Sequence, residues 1–197
     1  VDDALMRTVG AVVERDAGAA AEVQSAEVAI NRLHGRIRER GFAILLRQSP
    51  VARDLRGVLA ATQMGAELER IGDHCAGIAG RTLALCALDH DLHAPRRHAI
   101  GRLGALCIAQ VRDILGAVLR CDGAEATRVA AADDGVDAAY HAAVDDILRV
   151  MREDPHVAPA ATHLLFIAHA LERIGDRVTN IAEDIVSLTT GRVEKLD

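Results

Sequence analysis

Leu68-Glu-Arg-Ile-Gly-Asp73 returns as Leu171-Glu-Arg-Ile-Gly-Asp176, 103 positions later. Six consecutive residues repeated at that separation mark an internal repeat of one structural unit. On a helix, positions i and i+4 share a face, so Glu69 with Asp73 and Glu172 with Asp176 each form a carboxylate pair. Like charges so placed repel by about 0.2–0.5 kcal/mol. A pair kept in both copies therefore points to a compensating cation or partner.

The repeat extends well beyond this string. An offset of 106 aligns Asp16 with Asp122, Val23 with Val129, Glu27 with Asp133, Ile30 with Val136 and Asn31 with Asp137, whereas the later part of each copy aligns at 103. A three-residue deletion is therefore expected near residues 40 to 50 or their counterparts, where a loop tolerates it. The same offset sets Val1 against Cys107, well inside a helix expected to begin near Pro95. The first helix is thus expected to be truncated at its N-terminus, with roughly a dozen of its residues upstream.

Half of the 197 residues are hydrophobic, but only Phe42, Tyr140 and Phe166 are aromatic. Aliphatic side chains at that density suit helix-on-helix packing. A net charge of −6 opposes binding to a nucleic-acid backbone, and three aromatics supply few platforms for stacked bases, so no nucleic-acid partner is expected. Cys75, Cys86, Cys107 and Cys121 form no Cys-x-x-Cys pair and read as reduced thiols in a cytoplasmic protein. No apolar run reaches the roughly 20 residues of a membrane span, and no signal-peptide pattern opens the visible chain. The expectation is a soluble protein, at most peripheral to a membrane.

Proline stands only at 50, 95, 155 and 159, where helical patterns restart, and Asp16 and Asp122 are candidate N-caps. The reading is all-α, with helices over 1–14, 17–46, 50–86, 95–120, 123–152 and 155–190. In the last of these, Leu164, Ile167, Leu171, Ile174, Val178, Ile181, Ile185 and Leu188 step by three and four, which is bundle packing. The economical architecture is two tandem three-helix bundles placed in line, a first domain over 1–90 and a second over 91–197. A linker over 89–94 joins them.

Glu172 and Asp176 fall well over 100° from the seam of their helix, and Glu69 with Asp73 lie nearly opposite Met64, Leu68, Ile71, Cys75 and Ile78. Small residues flank these faces, including Gly65, Gly72, Gly80 and Gly175, which suggests close approach by another body. Glu27 with Asn31, and Asp133 with Asp137 beside Asp134, form further oxygen-bearing pairs nearer their seam edges, where they lean toward the adjacent helix. Joined in each repeat, the two pairs make an oxygen-rich site suited to hard or borderline cations, with zinc not excluded. Solvated charged faces and ordinary inter-helix contacts are the plain alternatives. His74, His141 and His169 could add ligands, although surface histidine is their simpler reading. Arg70 and Arg173 read first as salt-bridge formers, while Arg53, Asp54 and Arg56 are either capping residues or a docking epitope.

The two Leu-Glu-Arg-Ile-Gly-Asp strings, Pro50-Val-Ala-Arg-Asp-Leu-Arg56 and Asn180-Ile-Ala-Glu-Asp-Ile-Val186 leading to Thr190-Gly191 closely resemble the PhoU family of phosphate-transport regulators. The similarity covers essentially the whole chain. It implies two tandem three-helix bundles that carry multinuclear metal clusters, of iron or zinc, on their surface. It also implies a non-enzymatic role that assists the phosphate ABC transporter, conveys its state to a membrane sensor histidine kinase and represses phosphate-starvation genes. By resemblance the metal ligands are Glu69, Asp73, Glu172 and Asp176, with Glu27, Asn31, Asp133 and Asp137 from the second helices. The first set has one fewer anion, because Asn31 stands where the second has Asp137. A homodimer is a further expectation.

Two other functions use similar residues. A carboxylate-bridged metal enzyme in a four-helix bundle would carry Glu-x-x-His on two helices with inward ligands, but here the spacing occurs only at Glu153 and His156, astride Pro155. A metal-free helical adaptor is the other. No nucleophile elbow, phosphate-cradling loop or zinc-protease motif supports catalysis.

Overall fold

In the computed structural model, which describes residues 1–88, 94–192 and 195–196, the chain folds into seven α-helices with no strand among those residues. They are α1 Asp2–Glu14, α2 Ala17–Gln48, α3 Ala52–Cys86, α4 Ala94–Arg120, α5 Gly123–Ala130, α6 Asp133–Glu153 and α7 Ala158–Thr190. Helix starts follow the expected chemistry. Asp16 accepts from the amides of Gly18 and Ala19, and Asp122 from that of Glu125, satisfying donors that the first turn leaves unpaired. Most of the linker expected over 89–94 lies outside the described residues; of it, only Ala94 is placed, at the start of α4.

Three boundaries differ from the sequence reading. The helix expected over 123–152 is two helices that break at Ala131 and Ala132. Asp133, Asp134 and Gly135 are poor interior residues but good first-turn ones, since carboxylates favour the positive end of a helix, and so a new helix starts there. Helix α3 begins at Ala52 rather than Pro50, behind a left-handed Ser49 and an extended Val51. A 3₁₀ turn over Pro155–Val157, capped by Asp154, precedes α7.

Helices α1 to α3 form one three-helix unit, and α4 to α7 the other, with α5 and α6 together as its middle helix. The units are not in line. They pack side by side, α3 against α7 and α1 against α4, around one continuous apolar core that draws on both. The reason lies in the seams: Ile71, Cys75 and Ile78 of α3 and Leu164, Ile167, Leu171, Ile174 and Ile181 of α7 are almost completely buried, more than one small bundle can cover. Burying each large aliphatic side chain contributes about 1.5–3 kcal/mol.

Helices α3 and α7 run antiparallel in a fixed register. Arg81 lies over the Phe166 ring at 4.5 Å, Glu67 accepts from Asn180 at 3.3 Å, and the Arg56 guanidinium approaches Gly191. Each step up α3 is a step down α7, which sets Gly72 level with Gly175, the same position of the repeated string.

The glycines near the carboxylates are occupied from within the chain. A Cβ on Gly65 would meet Ile37, and one on Gly72 would meet Ile30, so the body that approaches α3 is α2. On α7, Gly175 admits Asp133 and Val136 of α6. Gly104 of α4 likewise accepts Val9 of α1. At the other end of the first unit, the Arg15 guanidinium donates to the carbonyls of Leu85, at 3.0 Å, and Leu88, satisfying the C-terminus of α3.

Candidate metal-binding and docking face

Three of the four carboxylates of the repeated string lie at helix junctions, neither in the core nor fully in solvent. Glu69 and Glu172 are half-buried, Asp176 is more open and Asp73 is exposed. In the second repeat they meet the pair from α6. Asp133, Asp137 and Asp176 line one surface hollow of about 610 Å3 together with Asn180. Burial, and then the neighbouring Asp176 and Asp137, raise Glu172 above the usual carboxylate range. Asp133 is raised chiefly by burial too, with Asp137, Asp176 and Asp134 adding to it and a hydrogen bond from Gln110 Nε2 at 3.2 Å opposing it.

These shifts have one cause: negative charge is concentrated where water is partly excluded. Glu172 Oε2 is buried and has no hydrogen-bond partner, although His169 Nδ1 is 3.3 Å away in a geometry that makes no such bond. A buried orphan carboxylate oxygen fits a cation donor set, and all four groups offer the oxygen ligands that hard cations take. The set is splayed rather than assembled. Asp176 is held by Arg173 at 2.8 Å, and among the described residues no three His, Cys, Asp or Glu side chains stand close enough to hold one metal ion.

The first repeat is looser. Asn31 Nδ2 reaches Glu27 Oε1 at 3.5 Å, within α2. The α2 side chain that meets Glu69 is His34, Nδ1 to Oε1 4.0 Å. His34 lies on the stripe of Glu27 and Asn31, one turn on, and that spacing was the signal that would have identified it. At the matching place in the second repeat stands Tyr140, whose ring contacts His141 and His169.

Of the other histidines, His141 Nδ1 bonds the Asp137 carbonyl at 2.8 Å, and His74 lies half-buried at the α3–α7 seam. Burial, then Arg177 and Arg173, lower the His74 pKa against the opposing pull of Asp73. The seam also holds groups absent from the sequence reading. Glu67 pairs with Arg177 at 3.2 Å, and burial, then Glu67 and Glu183, push Asp184 up to about 6. Glu67 has Ala170 as its counterpart, so the repeat gave no hint of it.

Known proteins share this fold. The PhoU domain model matches residues 1–82 and again 100–185. A phosphate-specific transport system accessory protein PhoU homolog of Caulobacter vibrioides is 37% identical over 183 residues, covering 93% of this chain and 79% of the relative. The homolog of that description from Pseudomonas aeruginosa is 33% identical, over 93% of this chain and 75% of its own. The crystal structure of PhoU from Pseudomonas aeruginosa superposes with a TM-score of 0.91 at 30% identity, covering 97% of this chain and 90% of that one. The phosphate transport system regulatory protein PhoU from Streptococcus pneumoniae gives 0.89 at 27%, over 98% and 89%. With the repeated helical unit matched twice and close relatives along nearly its whole length, the chain belongs to the PhoU domain family.

Proposed function

We propose that this chain is a non-enzymatic cytoplasmic regulator of phosphate uptake and phosphate-starvation signalling, linking the phosphate ABC transporter to a sensor kinase and binding metal through its surface carboxylates. The observation that carries the metal reading is the gathering of Asp133, Asp137, Glu172 and Asp176 on one face, with an orphaned buried oxygen on Glu172. These residues, and Glu27, Asn31, Glu69 and Asp73 more loosely, would hold the metal ions, iron or zinc among the candidates. A bound cation supplies positive charge where the chain concentrates negative. The phosphate reading is supported by relatives described as phosphate-specific transport system accessory proteins.

The side chains also favour a role without turnover. Burial pushes the Cys75 thiol up to about 11 and Cys107 up to about 12, which keeps both from acting as thiolates. Among the described residues no helix is long and apolar enough to cross a membrane. A metal-free adaptor is the second reading, favoured by the Arg173–Asp176 ion pair that already occupies one carboxylate.

Deleting the gene in its native host tests the regulatory reading. Expression of phosphate-starvation genes, or phosphate uptake, is expected to rise when external phosphate is high. Unchanged expression and uptake, in a host without a second copy, would overturn it.

A further inference from the structure

We propose that the cation site of the second repeat reaches inward to α4, where Gln110 supplies a neutral oxygen ligand beside Asp133. This deepens the metal reading above and rests on it. Gln110 is only 5% exposed, and its Nε2 donates to Asp133 Oδ1 at 3.2 Å. An ionised carboxylate accepts and cannot donate, so this contact fixes which end of the amide meets Asp133 and leaves Oε1 to find another partner. It has none: Oε1 is buried and makes no hydrogen bond. An acceptor held in that way costs free energy until a donor or a cation meets it.

The backbone of Gly175 forms the floor of the place. A Cβ there would lie 2.7 Å from Asp133 Oδ1 and 3.6 Å from Gln110 Oε1, so the missing side chain leaves a cradle that two oxygens face. Cys107, one turn earlier on α4, donates to the carbonyl of Leu171 at 3.3 Å, which sets this stretch of α4 against the residue that precedes Glu172. Glu172 Oε2 is the other buried acceptor without a partner among these groups. Gln110 from α4, Asp133 from α6 and Glu172 from α7 thus combine amide and carboxylate oxygens, the donors that hard cations take. The first repeat has no such set. The offset of 106 places Ala4 opposite Gln110, and Gly72, the counterpart of Gly175, is filled by Ile30. Packing at the equivalent place is met by alanine, so burial alone does not call for an amide at 110.

The test is calorimetric titration of the metal-stripped full chain with Mn2+ and, separately, with Zn2+, in a Glu69→Gln/Asp73→Asn background that silences the first repeat. Gln110→Met keeps the volume but replaces the hard oxygen by a thioether, and Gln110→Glu keeps an oxygen but removes the N–H donor; thermal melting verifies that each folds. The expected result is Mn2+ binding weakened by about tenfold or more in Gln110→Met, Zn2+ binding weakened less, and Mn2+ binding in Gln110→Glu at least as tight as in the parent. Parent-like Mn2+ affinity in Gln110→Met would overturn the proposal. So would an equal loss in Gln110→Glu and Gln110→Met, which would make Gln110 a donor that only orients Asp133. Where Gln110→Glu does not fold, the ratio of the two affinities in Gln110→Met decides, since loss of an orienting donor weakens both ions alike. If Asp133→Asn abolishes binding that Gln110→Met leaves intact, the carboxylate site stands without Gln110, whereas no binding of either ion by the parent overturns both readings.

Discussion

Glu67 of α3 and Arg177 of α7 form an ion pair of 3.2 Å across the seam between the two repeats, with 16% and 12% of their side chains exposed. Asn180 donates to the same Glu67 oxygen, whereas the Arg177 Nε has no partner. One carboxylate therefore holds two α7 side chains. We predict that Glu67→Ala costs about 3 kcal/mol, because it leaves the largely buried Arg177 guanidinium with only the 4.0 Å approach of Asp176. Urea unfolding measures this. A loss under about 0.5 kcal/mol would show that the pair behaves like a surface contact.

Asp184 gives the seam a pH dependence. Burial and the neighbouring Glu67 and Glu183 raise its folded pKa to about 6, above the ordinary 3.8. A raised acid binds its proton more tightly in the folded chain, so its contribution to stability is complete below about pH 4 and is lost as pH rises through 6. Asp184→Asn is therefore predicted to be more stable than the parent at pH 7.5, by about 1–2 kcal/mol after allowance for its partial exposure. The difference should vanish near pH 4. Equal stability curves for parent and variant across that range would refute the prediction.

Two glycines should respond in opposite directions. A Cβ on Gly104 would lie 2.5 Å from Val9 Cγ2, and the branched valine has little rotameric freedom to yield. Gly104→Ala is predicted to destabilise the α1–α4 contact by about 1–3 kcal/mol. At Gly77 a Cβ meets nothing within 4 Å, and alanine there should stabilise α3 by about 0.5–1 kcal/mol. Melting temperatures that shift the same way for both would contradict this packing account.

The sequence carried the helices, the repeat and the apolar seams because each depends on local periodicity. Asp16 and Asp122 were legible as caps for the same reason, since a cap needs only its own first turn. The broken middle helix of the second repeat was missed. Asp133, Asp134 and Gly135 fit the apolar period well enough to hide a helix start among three alanines. The side-by-side packing was missed too, because a seam shows that a helix is buried without saying which helix covers it. Gly65 and Gly72 were correctly read as places of close approach, but the neighbour was Ile37 and Ile30 of the same chain. The carboxylate faces could be placed from helical geometry, whereas Glu67 and Asp184 depend on contacts between repeats that periodicity does not encode.

The carboxylate set of the second repeat should also respond to cations in stability. With Asp133 and Glu172 raised by burial and by one another's neighbours, a bound divalent ion relieves repulsion that exists only in the folded chain. Millimolar Mn2+ or Zn2+ is predicted to raise the melting temperature of the parent and to leave that of Glu172→Gln/Asp176→Asn less affected. An equal shift in both proteins would place the cation elsewhere.

The most direct test of the account is elemental analysis of protein purified from its native host without a chelator or an affinity tag, for the parent and for Glu172→Gln/Asp176→Asn. The account predicts stoichiometric transition metal in the parent and loss of the second-repeat share in the variant, with the helical circular dichroism of both unchanged. Parent protein that carries no metal as isolated, and takes up none when refolded with iron, manganese or zinc, would contradict it.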